Sequence, residues 1–368
     1  MTTNIHKTFL QLIRLGIGHT GNTDTSEIES LFADDWEALK ALAEEHGLSA
    51  VILDGIDKLT VNDSWFTVEL PLEMKLEWIG EVFQDYEGRY VDYRKAIGNL
   101  AGFYNNHGFK MMVIKGYACS LDWPRPEHRP CGDIDIWLFG KQKEADELLE
   151  KEKGIDIDNS HHHHTVFEWN GFTAENHYDF VNVYAHKSSR ELEIIFKELG
   201  QDDSHFVELC GEKVYLPSPN LHALFLIRHM SAHFAGAELS LRQVLDWAFF
   251  VEKHTAEVNW KWLLELLEKY GMKDFFNCIN AICVEELGFS PSIFPTVQFL
   301  PSLKERVLND ILSPEYTAET PHGIINRIIY KYRRWQGNAW KQKMCYNESR
   351  WSALRYGIWA KMLKPVSI

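Results

Sequence analysis

The sequence predicts an α+β protein in which a small mixed-sheet core is flanked by N- and C-terminal helical regions. Apolar residues recur at helical spacing in the first part of the chain and again in the last part. Between these parts, short apolar runs alternate with polar helices and glycine-containing turns, which is typical of strands that alternate with helices. At 368 residues the chain is long for one core, so we expect two or three domains.

Residues 1–107 form the predicted N-terminal helical region. Trp36 and Leu39 are spaced as on one face of a helix. A long helix is predicted over residues 72–106, and Gly108 follows it, as glycine commonly does just past a helix end.

Residues 108–216 form the predicted core. The apolar run at 111–115 predicts a buried strand, and Gly116 then opens a short helix. The stretch GDIDIWLF at 132–139 predicts a second strand. Two further strand-like runs flank Asn170-Gly171, which is a strong signal for a β-hairpin.

Residues 217–368 form the predicted C-terminal helical region, which ends in a basic aromatic tail. Residues 321–368 contain ten Lys or Arg and one acid, which gives them a net charge of +9. Because the whole chain has a net charge of −15, residues 1–320 have a net charge of −24. Such an acidic body argues against general affinity for nucleic acid, because phosphate contact needs positive charge. The tail is compatible with peripheral contact to an anionic membrane or to RNA. We favour a third interpretation, in which its aromatic side chains pack on the acidic body.

The sequence shows no targeting or membrane-spanning signal. We find no run of about 18 apolar residues, and the first residues lack the apolar segment and cleavage site of a signal peptide. The six cysteines show neither a CxxC pair nor zinc-ligand spacing. We therefore expect a cytoplasmic protein with reduced thiols and no transmembrane segment.

Two aspartates separated by one residue lie in the second predicted strand. Alternation along a strand places Asp133 and Asp135 on one face and Ile134 and Ile136 on the other. Adjacent carboxylates repel each other and raise each other's pKa, and a shared divalent cation relieves that repulsion. Because oxygen ligands suit hard cations, the pair favours Mg²⁺ or Mn²⁺.

A third carboxylate is expected from the second strand of the hairpin. Glu175, His177 and Asp179 alternate along one predicted face of that strand. We take Glu175 as the third metal ligand, with His177 as a hydrogen-bond donor that orients it. Asp179 is the second choice.

These residues carry a resemblance to a known family. The stretch IKGYACSLDWPRPEHRPCGDIDIWL resembles the K-G-x-A and R-P-x-G-D-I-D motifs of the uncharacterised nucleotidyltransferases, within the DNA polymerase β-like superfamily. Residues 175–178 are similar to the family's E-x-H-aromatic segment, and LRQVLDWA at 241–248 is similar to its helical L-R-x-x-x-D-x-A segment. The resemblance covers most of the chain and is sharpest between residues 113 and 179.

The resemblance implies a nucleotidyltransferase core that moves a nucleoside monophosphate from an NTP to an acceptor. It implies Mg²⁺ or Mn²⁺ as the cofactor and an NTP as the substrate. The catalytic residues and metal ligands that carry over are Asp133, Asp135 and Glu175. The acceptor and the base of the nucleotide are left open. The alternative is a catalytically inactive binding protein with the same fold.

The residues that the resemblance places on the triphosphate are Lys115, Gly116 and Arg129, with His177 beside the metal ligands. Most of the superfamily has Gly-Ser where this chain has Lys115-Gly116-Tyr117. We expect the lysine to supply positive charge in place of the serine hydroxyl.

Three other groups carry weaker signals. His229 and His233 are one helical turn apart, but the glutamate of an HExxH zinc motif is missing, so we interpret them as core or cleft-lining residues. Arg242 and Asp246 have the same spacing and are expected to pair with each other, and a nucleotide contact from Arg242 is the less favoured alternative. The run His161–His164 is compatible with a metal site or with a solvated strand edge, and its role is left open.

Overall fold

The first region of the chain is helical, as predicted. The computed structural model describes residues 3–19, 28, 31–62, 70–295, 298–317 and 319–363, and the side chains of residues 60–62 and 357–363 lie outside that description. The described helices of this region are α1 (Asn4–Gly16), α2 (Ala33–His46), α3 (Ser49–Asn62), α4 (Leu72–Glu81) and α5 (Arg89–Asn106). A π-helical segment, Val82–Gly88, joins α4 to α5, so the long predicted helix is one continuous run with an irregular middle.

Two glycines allow α1 and α3 to pack closely. A Cβ atom at Gly55 of α3 would collide with the backbone carbonyl of Leu12 in α1. A Cβ atom at Gly16 of α1 would collide in the same way with the carbonyl of Val51 in α3. Because glycine has no side chain, the two backbones come into direct contact here. Phe9 of α1 is buried beside this contact.

The middle of the chain forms one mixed sheet of six strands. They are β1 (Met112–Val113), β2 (Ile134–Trp137), β3 (His164–Trp169), β4 (Phe172–His177), β5 (Phe206–Leu209) and β6 (Glu212–Tyr215). Their order across the sheet is β3-β4-β2-β1-β6-β5. The pairs β2/β4 and β1/β6 are parallel, and the other three pairs are antiparallel. The predicted α+β class with a small mixed sheet between helical regions is confirmed.

The sheet packs one face against α5, and its other face carries Asp135 as well as buried apolar residues such as Met112 and Trp137. Ile134 and Ile136 of β2 pack in the cluster that contains Ile97 and Leu100 of α5. Asp135 points to the opposite face, as the period of two predicts for a strand. The alternation read from GDIDIW is therefore confirmed within β2.

Both hairpins turn on two residues with positive φ. Asn170 and Gly171 have φ of 49° and 82°, which confirms the predicted turn between β3 and β4. Cys210 and Gly211, with φ of 54° and 81°, join β5 to β6. The sequence does not signal this second turn, because cysteine replaces the Asn or Asp that tolerates positive φ.

Three of the described helices lie between strands along the chain, and others follow the sheet. Around the sheet lie α6 (Tyr117–Ser120), α7 (Gln142–Lys153) and α8 (Lys187–Leu199). The helices that follow, within the described residues, are α9 (Pro219–Gly236), α10 (Leu241–His254), α11 (Trp260–Tyr270), α12 (Lys273–Glu285), α13 (Pro301–Leu312), α14 (Ile324–Gly337), α15 (Ala339–Cys345) and α16 (Arg350–Leu363).

Two hydrophobic clusters hold these elements together. One contains α5, α7 and one face of the sheet. The other runs from Phe9 of α1 through Met112 of β1 to Phe225 of α9. This second cluster crosses the predicted boundaries at 107/108 and 216/217, and the division into three domains stays a prediction.

The basic tail packs on the body in one part and is exposed in another. In α15, Met344 and Cys345 are buried, and Lys341 is buried with its ammonium against Asp310 of α13. In α14, by contrast, the apolar residues Ile324 and Ile328 are 79% and 63% exposed. The favoured packing of the tail is therefore found for α15 and not for α14. None of the helices in the described ranges is both long and apolar enough to cross a membrane.

Candidate active site

The neighbouring parallel strands β2 and β4 bring Asp135 and Glu175 side by side. In the register of β2 and β4, Asp135 pairs with Glu175, and Trp137 pairs with His177. Asp135 and His177 are buried, and Glu175 is partly exposed. One ligand atom from each of the three residues lies within 4.8 Å of the other two. Two of the three predicted catalytic carboxylates therefore meet, with the predicted histidine between them.

Lys115 and His177 neutralise these carboxylates. Lys115 Nζ lies 2.7 Å from Asp135 Oδ1, and His177 Nε2 lies 3.2 Å from the same oxygen. The second contact of His177 is Glu175 Oε2, at 3.5 Å. The four side chains form a connected group of one lysine, one histidine and two carboxylates.

The pKa values reflect this pairing. Burial works to raise the pKa of Asp135, but Lys115 and His177 outweigh it and hold the pKa well below its usual range. Burial also works to raise the pKa of Glu175, and the hydrogen bond from His177 reverses that effect, so its pKa is lowered. For His177, burial lowers the pKa, and the hydrogen bonds to Asp135 and Glu175 outweigh it and raise the pKa. At neutral pH both carboxylates are therefore ionised.

Asp133 lies just outside this group. It precedes the first residue of β2 and is exposed. In the described part of the chain, the sets of acids and histidines whose ligand atoms all lie within 4.8 Å do not include it. Its backbone carbonyl accepts a hydrogen bond of 2.8 Å from the Tyr93 hydroxyl of α5. Although the residue as a whole is exposed, partial burial of its carboxyl group, followed by the charges of Glu175 and Asp135, raises the Asp133 pKa.

Gly116 adopts a backbone conformation that favours glycine. Its φ is 57° and its ψ is −101°, and a Cβ atom there would collide with the Tyr93 hydroxyl. The chain can therefore turn sharply after Lys115. Because Ile114 N donates to the Asp135 carbonyl at 3.1 Å, that turn is fixed directly beside β2.

Arg129 is held by a carboxylate of the C-terminal helical region. Its Nε and Nη2 donate to the two carboxylate oxygens of Asp246 in α10, at 2.8 and 2.9 Å. Trp123 Nε1 also donates to Asp246, at 2.8 Å. The expected pair of Arg242 with Asp246 is therefore wrong, because Arg129 takes both oxygens through packing that the spacing along α10 does not reveal.

A cleft of about 560 Å³ lies above these residues, a size that suits a small-molecule ligand. Its floor is formed by core residues that the sequence analysis had singled out, namely Lys115, Gly116, Arg129, Asp133 and Asp135. Its walls come from the end of α2, from α9 and α10, and from the segment after α13, including Glu45, His46, His229, His233, Glu238, Ser240, Arg242, Gln243, Thr317 and Glu319.

Arg242 presents an unpaired guanidinium to this cleft. It makes no hydrogen bond or ion pair within the described ranges, and its Nε atom is buried without a partner. Burial, together with the charge of Arg129, lowers its pKa. A guanidinium without a carboxylate partner in a cleft is the kind of group that binds phosphate.

His229 and His233 line the cleft, as one of the two interpretations predicted. Their ring centroids are 4.5 Å apart. Burial, followed by the positive charges of His233 and Lys115, holds the pKa of His229 well below its usual range. The second-choice carboxylate, Asp179, follows the end of β4 and pairs with Lys197 of α8 instead.

His163 and His164 lie beside the acidic pair, in the run for which the sequence left a metal site and a solvated strand edge open. His164 Nδ1 is 3.8 Å from Glu175 Oε2. The hairpin signal contains this information, because a two-residue turn at Asn170-Gly171 pairs 169 with 172 and therefore 164 with 177. Counting back from the turn would have placed the histidine run next to the proposed metal ligands.

Comparisons with known proteins point to a family. Residues 33–288 match the family described as "Uncharacterised nucleotidyltransferase". No curated protein matches the chain. One similar solved structure is that of an antigenic nucleotidyltransferase-like protein from Paracoccidioides brasiliensis, with 13% identity over 48% of this chain and 85% of that one. Its TM-score of 0.34 is too low to transfer either fold or function.

Proposed function

The chain belongs to the uncharacterised nucleotidyltransferase family, and on that premise we propose that it moves a nucleoside monophosphate from an NTP to an acceptor in a metal-dependent reaction. The observation that carries the proposal is the pair Asp135 and Glu175. They lie side by side on neighbouring parallel strands, and Asp135 lines a cleft of suitable size together with Lys115.

The residues present fit a divalent cation. Asp135 Oδ2 is buried and has no hydrogen-bond partner, so one carboxylate oxygen is left over after Lys115 and His177 are counted. Glu175 supplies a second oxygen within reach of the same point. Asp133 lines the same cleft, and we keep it as the third carboxylate. A Mg²⁺ or Mn²⁺ ion held there would stabilise the charge of the triphosphate and of the attacking oxygen.

We assign two cationic side chains to the triphosphate and one carboxylate to the acceptor. The Lys115 side chain is 29% exposed, so its ammonium reaches the cleft while it pairs with Asp135. Arg242 is the arginine that we place on the triphosphate. We replace Arg129 in that role because both oxygens of Asp246 already hold its guanidinium. Glu175 is ionised and is our choice of base for the acceptor hydroxyl.

The test is transfer of label from each of four α-³²P-labelled NTPs in the presence of Mg²⁺ or Mn²⁺ and a cell extract that contains acceptors. We expect one labelled product and release of pyrophosphate. Asp135→Asn and Glu175→Gln should each abolish labelling. Glu168→Gln, which changes an exposed acid on the neighbouring strand β3, is the matched control and should retain it. Equal labelling by wild type and Asp135→Asn would contradict the proposed site.

A protein that binds a nucleotide without transferring it is the second candidate. The observation in its favour is that Lys115 Nζ is only 2.7 Å from Asp135, close to where a cation would bind. Binding without transfer predicts that a nucleotide raises the melting temperature while no label moves from any NTP. The transfer reaction predicts both effects, and both should disappear in Asp135→Asn.

A further inference from the structure

A second cluster of ligand atoms lies beside the acidic pair. One nitrogen from each of His163, His164 and His177 lies within 4.8 Å of the other two. We propose that these three histidines bind a first-row transition-metal ion of the zinc class. The site is distinct from the carboxylate site described above, although the two share His177. The proposal does not depend on nucleotide transfer.

The hairpin fixes the positions of the three rings. His164 and His177 are opposite each other in the antiparallel register of β3 and β4, with ring centroids 5.1 Å apart. His163 immediately precedes β3, and its carbonyl accepts hydrogen bonds from the backbone N–H groups of Tyr178 and Asp179 at 3.0 and 3.1 Å. Its ring centroid is 4.4 Å from that of His164 and 5.6 Å from that of His177. The rings converge because the backbone is hydrogen-bonded on both sides of the cluster.

Two of the ring nitrogens are buried without partners. The Nδ1 atoms of His163 and His164 have no hydrogen bond, and His164 is only 6% exposed. A buried polar atom without a partner destabilises the folded state, so most such atoms in native proteins are satisfied. A metal ion at the centre of the cluster would satisfy these nitrogens. His177 Nδ1 lies 3.3 Å from the Asp179 carbonyl oxygen, an arrangement common for metal-binding histidines. A metal ion on Nε2 would take the place of the proton that this nitrogen shares with Asp135 and Glu175.

The donor atoms select the class of metal. Imidazole nitrogen suits zinc, cobalt, nickel and copper, whereas Mg²⁺ and Ca²⁺ prefer oxygen. Three histidines leave a fourth position for water or a carboxylate in a tetrahedral site. Glu175 is the nearest carboxylate, with Oε2 3.8 Å from His164 Nδ1 and 3.5 Å from His177 Nε2. A zinc-class ion would therefore bind next to the residues proposed for Mg²⁺.

The experiment titrates the full chain, freed of metal by a chelator and without nucleotide, with Co²⁺ followed by visible absorption and with Zn²⁺ followed by calorimetry. We expect one ion per chain and a Co²⁺ spectrum of tetrahedral intensity. His163→Asn and His164→Asn should each weaken binding by at least about 100-fold, because loss of a mere supporting group around a metal already costs 10–100-fold.

The matched control is His161→Ala. It removes one histidine from the same run of four that is outside the three ligands. Because its ring stacks on that of His164 at a centroid distance of 4.6 Å, we expect a loss of no more than about tenfold, the low end for a supporting group. A loss in His161→Ala as large as that in His163→Asn would overturn the proposal in favour of adventitious binding to the run. Absence of Co²⁺ binding by wild type would also overturn it.

Circular dichroism establishes that each variant is folded. If His164→Asn does not fold, because His164 is buried, the metal affinity of His163→Asn tests the proposal, since His163 is more exposed. Because the metal titration contains no nucleotide, the two proposals are tested separately. A negative metal titration would not change the interpretation of the labelling experiment, and a negative labelling experiment would not change that of the titration.

Discussion

Arg129 and Asp246 form a buried ion pair between the core and α10, and breaking it should destabilise the protein strongly. Arg129 is 7% exposed and Asp246 is 4% exposed. In Asp246→Ala the guanidinium stays buried without its carboxylate. Removing one partner of a buried pair typically lowers the free energy of unfolding by about 3–5 kcal/mol.

The contacts give the same magnitude independently. Arg129 donates two hydrogen bonds to the carboxylate, and a hydrogen bond to a charged group contributes about 1.5–3 kcal/mol. The pair therefore accounts for roughly 3–6 kcal/mol. Because whole domains are stable by only about 5–15 kcal/mol, this loss is easily measured.

The assay is urea unfolding followed by tryptophan fluorescence, with the midpoint and the slope fitted separately. Arg125→Met is the matched control in the same loop. Arg125 also has carboxylate partners, Asp54 and Glu87 among them, but its side chain is 48% exposed. Exposed pairs contribute about 0–1 kcal/mol, so this variant should change little.

A double variant separates the charge from the packing. Arg129→Met combined with Asp246→Leu replaces the pair by apolar side chains and should recover part of the stability lost in Asp246→Ala, because the Arg129 guanidinium is no longer buried without its carboxylate, whereas the hydrogen bond from Trp123 Nε1 is still lost. The reasoning is refuted if Asp246→Ala loses less than about 1 kcal/mol, the range of an exposed pair. It is also refuted if the double variant is less stable than Asp246→Ala.

Four further predictions address other parts of the molecule. Arg242→Met should weaken ATP binding at least about tenfold in calorimetry with Mn²⁺ present, since its proposed partner is a phosphate, while stability changes little. Gly116→Ala should lower stability by at least about 1 kcal/mol because of its positive φ and the collision with Tyr93, and Tyr93→Phe in the same chain should relieve part of that loss in urea unfolding. Burial lowers the His222 pKa to about 4, so its contribution is present above pH 6.5 and is lost as the pH falls. His222 should contribute a loss of about 2 kcal/mol between pH 6.5 and 5, in addition to the losses from other buried histidines such as His46, and His222→Gln should remove that share from the pH profile. Ile328→Ser should change stability by no more than about 0.5 kcal/mol in thermal unfolding, because the side chain is 63% exposed on α14.

Local chemistry explains what could be predicted. The alternation along GDIDIW correctly predicted that Asp135 and Ile136 point to opposite faces of the sheet, and Asn170-Gly171 correctly predicted the turn between β3 and β4. Both depend on residues adjacent in sequence, where the period of a strand and the φ preferences of a turn apply directly. The pairing of His164 with His177 follows from the same turn by counting.

The sequence by itself determined the α+β class, the helical flanks, the hairpin and the residue types of the acidic pair. Only the tertiary structure decided that Asp135 meets Glu175 while Asp133 stays outside that group, because strand β2 begins at Ile134, two residues after the start of the predicted strand. It also decided that Arg129 binds Asp246, 117 residues away, which frees Arg242 for the cleft. Contacts over such separations depend on how whole elements pack, and neither periodicity nor residue spacing along the chain specifies that packing.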